Sequence, residues 1–85
     1  MAAVTLIGKP GCHLCDDARE VVLGVLADIE RRPDAPGHTF VELNLLEDPA
    51  LAERYAEEIP VVLIDGAQHA YWRVDAARLR AALSA

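Results

Sequence analysis

The chain has a single lysine, and its seven arginines are scattered, with Arg31 and Arg32 the only adjacent pair. It therefore has no basic stripe to meet a phosphate backbone, and the formal net charge of −6 argues further against nucleic acid and anionic membrane as partners. No apolar run approaches the roughly 20 residues that span a bilayer. The first apolar stretch is short and no charged segment precedes it, so it reads as a strand and not as a signal peptide. Repeats and low-complexity tracts are absent. With only two cysteines, and with His38 and His69 at no ligand-like spacing, a closed zinc site of four protein ligands is not expected. What remains is 85 residues, 53% hydrophobic and distributed in short runs. That predicts one globular domain over 1–85, a cytoplasmic location and a monomer.

Short apolar runs alternate with helical periodicity. Val4 to Ile7 is an aliphatic strand stopped by Gly8, Pro10 and Gly11. Apolar residues then recur at 14, 18, 21, 22, 25 and 29, one helical face held for about four turns. "RRPDAPGH", with Pro33 and Pro36, predicts the one long loop. "TFVELNL" sets Val41, Leu43 and Leu45 against Phe40, Glu42 and Asn44, a period-2 strand. Asp48 is placed to cap a helix with Pro49 at its first position, and Tyr55 is expected in the core. "PVVLI" is a second apolar strand, Asp65-Gly66 a hairpin turn and "QHAYWRV" the returning strand. On that last strand Tyr71 or Trp72 is expected to point inward, and the other to line a substrate edge. Asp75 caps a final helix whose Leu79 and Leu83 share a face. The order β-α-β-α-β-β-α predicts an α/β fold: a four-stranded mixed sheet with a right-handed parallel crossover, an antiparallel hairpin and helices on both faces.

The chemistry concentrates in "KPGCHLC". Cys12 follows a strand-to-helix turn, so it is expected at a helix N-terminus, where backbone N–H groups and the helix dipole favour a thiolate. Cys15 lies one turn further in, within bridging distance, more buried and less ionised. Cys12 is thus the expected attacker and Cys15 the resolving thiol. Lys9 sets a cation near the thiolate or a bound carboxylate, and His13 inside the pair would tune it. Asp16 and Asp17 complement the dipole, yet as anions oppose ionisation and repel anionic thiols. Arg73 is a weaker candidate for meeting an anionic substrate. Other uses of the pair stay open: two buried small hydrophobes, a soft metal or iron–sulfur site with His13, or a redox-sensing or interaction domain without catalysis. Pro60, opening a central strand, is unusual for a sheet interior. A cis Ile59-Pro60 bond would explain it, packing Pro60 beside the cysteines and presenting the Ile59 backbone to an extended substrate.

Taken together, "KPGCHLC", a helix, and "IPVVLIDG" before a hairpin and a terminal helix resemble the thioredoxin superfamily, specifically its small glutaredoxin-like proteins. The resemblance spans essentially the whole chain. It implies a thioredoxin-like fold and thiol–disulfide exchange, with Cys12 as nucleophile, Cys15 as resolving thiol and Pro60 as the cis-proline. Lys9 and the Ile59 backbone would hold glutathione or a substrate peptide. No cofactor or metal is implied beyond glutathione, or another small thiol, as co-substrate. Its partners would be protein disulfides and a thiol reductant. The chain departs from the usual glutaredoxin pattern in three places. His13-Leu14 stands between the cysteines in place of Pro-Tyr, and Asp16-Asp17 follow where basic residues are common. "AYWRVDAARL" lacks the glycine pair that holds the amine end of glutathione, leaving only Asp75 as a stand-in. Glutathione is therefore expected to serve less well than a protein dithiol.

Overall fold

A computed structural model describes residues 2–35 and 37–84. Pro36, the second proline of the expected long loop, lies outside them, as do the two ends of the 1–85 domain expected from sequence. The elements are β1 (Ala2–Gly8), α1 (His13–Glu30), β2 (His38–Asn44), a 3₁₀ turn (Leu45–Glu47), α2 (Pro49–Tyr55), β3 (Val61–Ile64), β4 (Ala67–Tyr71) and α3 (Ala76–Ser84). They form one sheet in the order β2-β1-β3-β4. β1 pairs with β2 in parallel through the α1 crossover, whereas β1–β3 and β3–β4 are antiparallel. This is the mixed α/β sheet that the sequence predicts.

β1 is central, so both its faces are apolar. Val4 and Leu6 join Val62 and Ala70 beneath α1 and α3, in a core filled by Val22, Val25, Ile29 and Leu79. Ile7 and Val61 point to the opposite face, where Tyr55 of α2 and Leu45 cover them. Each large aliphatic chain buried this way contributes about 1.5–3 kcal/mol. The buried stripe of α1 is Cys15, Ala18, Val22, Val25, Leu26 and Ile29. It is rotated slightly from the expected one, because Cys15 takes the inward place and leaves Leu14 and Val21 on the rim. α2 begins as expected: Asp48 Oδ1 accepts from the N–H groups of Ala50 (3.0 Å) and Leu51 (3.4 Å), and Pro49 opens the helix. Asp65 (φ 52°) and Gly66 (φ 83°) make the β3–β4 turn.

β2 alternates as its sequence predicts, but its Val41 and Leu43 side is not covered: they are 50% and 36% exposed. They share the face of Thr5 and Ile7 through the β1–β2 register, and the seven-residue α2 is too short to reach this edge strand. Phe40 faces α1 instead. One expectation for β4 is corrected: neither Tyr71 nor Trp72 enters the core, and they are 48% and 53% exposed. Ala70 takes the inward place opposite Val62, and a register irregularity between Val62 and Leu63 leaves His69 without a partner in the β3 ladder. The strand ends at Tyr71, with Trp72 beyond it.

Candidate functional site

Gly11 (φ 78°), after Pro10, turns the chain from β1 into α1 in a conformation that a Cβ disfavours. The turn delivers Cys12 to the N-cap of α1, with extended backbone (φ −97°, ψ 113°). Its Sγ accepts the N–H of Cys15 at 3.2 Å, and its carbonyl accepts the N–H of Asp16 at 3.1 Å. Cys12 is half-buried, and both cysteines are free thiols. An N–H donor aimed at this sulfur is a partner that a thiolate uses well and a thiol poorly.

Cys15 differs sharply. It is 1% exposed. Burial above all, then its hydrogen bond with Cys12, pushes its thiol up to about 11, with the Asp16 charge adding and the Lys9 backbone opposing. The sulfur lies against β1: a Cβ on Gly8 would stand 3.0 Å from Cys15 Sγ and 3.1 Å from its Cβ. With any side chain here, the helix start or the strand would have to give by a few tenths of an ångström. The Ile7–Val61 pair, extended by one residue, sets Pro60 opposite Gly8. Pro60 is fully buried and follows a cis peptide bond. The strand end, the cysteine pair and the proline thus lie at the same end of the sheet.

Of the other expected site residues, His13 is the exposed first residue of α1. Lys9 is exposed and lines a cavity of about 320 Å³ with Pro10, Arg19, Glu42 and Asn44. Ile59 requires a correction. Its N–H donates to the Tyr55 carbonyl (3.2 Å), so only its carbonyl remains for an added strand. Asp16 is not a bare anion, because Arg19 Nη1 binds it at 3.1 Å while Nε and Nη2 grip both oxygens of Glu42. That fork holds the Glu42 carboxyl below its usual range and ties α1 to β2. Asp17 has no such ion pair among the described residues, so the expected repulsion rests on Asp17. Asp75 caps α3, accepting the Arg78 N–H at 3.1 Å, and is committed there. Among the described residues no three His, Cys, Asp or Glu side chains converge as a metal site.

Sequence reasoning missed a groove beside the dithiol. Its floor is Leu14, Ala18, Val21 and Val74, and its wall is Trp72, around a volume of about 220 Å³. Asp17 and Arg73 stand on its rim. The signal available in sequence was Leu14 and Val21, seven residues apart and therefore on one side of the helix. Trp72 has φ 63°. That left-handed conformation costs an L-residue roughly 1–2 kcal/mol. Three contacts hold it there. Its N–H is shared between Pro60 O (2.9 Å) and Glu58 O (3.3 Å), and its Nε1–H donates to Glu57 O (2.9 Å). Its ring meets Tyr71 edge-on at 5.0 Å.

A four-stranded mixed sheet with a cysteine pair at the start of its first helix, and a cis-proline entering the strand beside β1, defines the thioredoxin-like class. Residues 3–84 match the family model of the Glutaredoxin-like domain (DUF836), and the chain belongs to that family. Uncharacterized proteins of Mycobacterium tuberculosis and Mycobacterium bovis are 29% identical over 83 residues, covering 92% of this chain and 78% of theirs. The crystal structure of the structural-genomics target XcR50 from X. campestris superposes with a TM-score of 0.71 at 32% identity, over 94% of this chain and 93% of that one. Chloroplastic thioredoxin z superposes with a TM-score of 0.73 at 14% identity, over 98% and 75% of the two chains, a likeness of fold.

Proposed function

We propose that this chain is a thiol–disulfide oxidoreductase that reduces protein disulfides or mixed disulfides. The observation that carries the reading is the asymmetry of the pair: Cys12 half-buried at the helix N-cap with an N–H on its sulfur, Cys15 buried and protonated up to about pH 11. The Cys12 thiolate attacks one sulfur of a substrate disulfide, forming a mixed disulfide and releasing the other sulfur as a thiolate, which takes up a proton. Cys15 then gives up its proton and attacks Cys12 Sγ. The Cys12–Cys15 disulfide forms, the second substrate sulfur leaves as a thiol, and two electrons have passed to the substrate. A dithiol reductant restores the pair. Protonation keeps Cys15 idle until Cys12 has reacted.

Membership of the glutaredoxin-like family supports this reading. We place the chain as a monomer in the cytoplasm, where free dithiols persist. His13 tunes the pair, and Lys9 and Pro60 hold the substrate. Glutathione is the weaker electron donor, because Asp17 opposes an anionic thiol and Asp75 is occupied as a cap; Asp17→Lys should speed its turnover and Lys9→Ala slow it. Reduction of insulin disulfides, with dithiothreitol as donor, tests the main claim. The wild type should exceed background, Cys12→Ser should abolish turnover, and Cys15→Ser, whose mixed disulfide only the donor can resolve, should turn over more slowly than the wild type. A wild type no faster than background would overturn it and favour a non-catalytic redox-sensing domain.

A further inference from the structure

Trp72 is unexplained by the exchange chemistry. An indole sits half-exposed, in a backbone conformation that favours glycine, anchored to three carbonyls of the segment entering β3. Strained residues persist where surroundings hold them for a purpose, and here neither core burial nor turn geometry calls for tryptophan. The indole walls a groove whose floor begins at Leu14, between the two cysteines, and runs along α1 to Val21.

We propose that this groove is a subsite for an apolar side chain of a polypeptide substrate, one near the cysteine under attack, with Trp72 as its specificity-determining residue. The inference rests on the oxidoreductase reading and names its substrate class. Continuity with the dithiol argues for it, because a chain joined to Cys12 has its neighbouring residues in reach of Leu14. The lining argues for the chemistry, since the floor is aliphatic, the wall aromatic and the volume of about 220 Å³ suits one large apolar side chain. The lining also argues against glutathione, which has no apolar side chain to bury.

The test uses the full chain carrying Cys12→Ser and Cys15→Ser, so that binding is read without exchange. Two decapeptides carry a methylthio-capped cysteine and differ at one position, two residues away, Phe in one and Ser in the other. Trp72 is the only tryptophan, so its fluorescence reports occupancy directly. The Phe peptide should bind roughly tenfold more tightly, the scale of discrimination that a hydrophobic pocket supplies. Followed by calorimetry, Trp72→Gly should erase the difference. Trp72→Phe, which keeps an apolar wall but loses the bond to Glu57, should retain most of it. Equal affinities for both peptides would overturn the subsite. So would discrimination lost equally in Trp72→Phe and Trp72→Gly, since Trp72 would then be only a latch on Glu57. Turnover of the same peptides by the wild type separates the two claims: discrimination in binding without any reduction sinks the oxidoreductase reading and leaves the subsite standing.

Discussion

The proton on Cys15 couples stability to pH. In the unfolded chain this thiol ionises near 9.0, whereas burial, followed by the hydrogen bond with Cys12, holds it protonated to about 11 in the fold. Between those values the unfolded state has released more protons, so rising pH favours unfolding. The contribution is fully present below pH 9 and is lost as pH climbs through 11. A rise from 9.0 to about 11, at about 1.4 kcal/mol for each pH unit, amounts to just under 3 kcal/mol. Cys15 is 1% exposed, so solvent screening removes little of this. Against the roughly 5–15 kcal/mol that holds a small domain together, the loss is large. Urea unfolding of the fully reduced protein from pH 8 to 11 measures it, with Cys15→Ala as reference. The alanine variant starts less stable because of the cavity, but lacks this proton, while every other titrating group is common to both chains. The stability gap between them should close by about 2–3 kcal/mol across that range. Cys12→Ser should keep most of the slope, since burial is the leading cause. Parallel profiles for wild type and Cys15→Ala would refute the reasoning.

Gly8→Ala should destabilise the fold by about 1–3 kcal/mol in urea unfolding, because the new methyl meets Cys15 Sγ at 3.0 Å and the helix start must move. It should also slow closure of the Cys12–Cys15 disulfide, read by free-thiol counts under mild oxidant; closure at the wild-type rate would show that the contact is slack. Asp48→Ala removes the acceptor for two N–H groups at the start of α2 and should lower stability by about 1 kcal/mol in the same assay, with no change meaning that water replaces the cap. Arg19→Met breaks the fork to Glu42, whose partners are more than one third exposed, so the loss of stability should be small and shrink in 1 M salt. A larger, salt-independent loss would mean that packing of the arginine stem matters more than its charge.

Local signals determined much of this protein. Pro and Gly stops, the Asp48-Pro49 cap and the Asp65-Gly66 turn set the element order, because each acts through the backbone of its immediate neighbours. The placement of Cys12 at a helix start was equally legible, since Gly11 and the periodicity after it are adjacent in sequence. Tertiary structure decided what depends on which surfaces are covered. Val41 and Leu43 alternate correctly yet stay exposed, because the short α2 does not reach the edge strand. Arg19 pairs with Asp16 one turn away on the same helix, but only the fold brings Glu42 of β2 into its grip. The closeness of Gly8 to Cys15 arises only when α1 folds back on β1. Trp72 was the least legible, because its outward, left-handed placement is imposed by carbonyls of Glu57, Glu58 and Pro60, twelve to fifteen residues earlier in the chain. Sequence determines conformation where the deciding contact lies within a turn or two; beyond that range the packed neighbours choose.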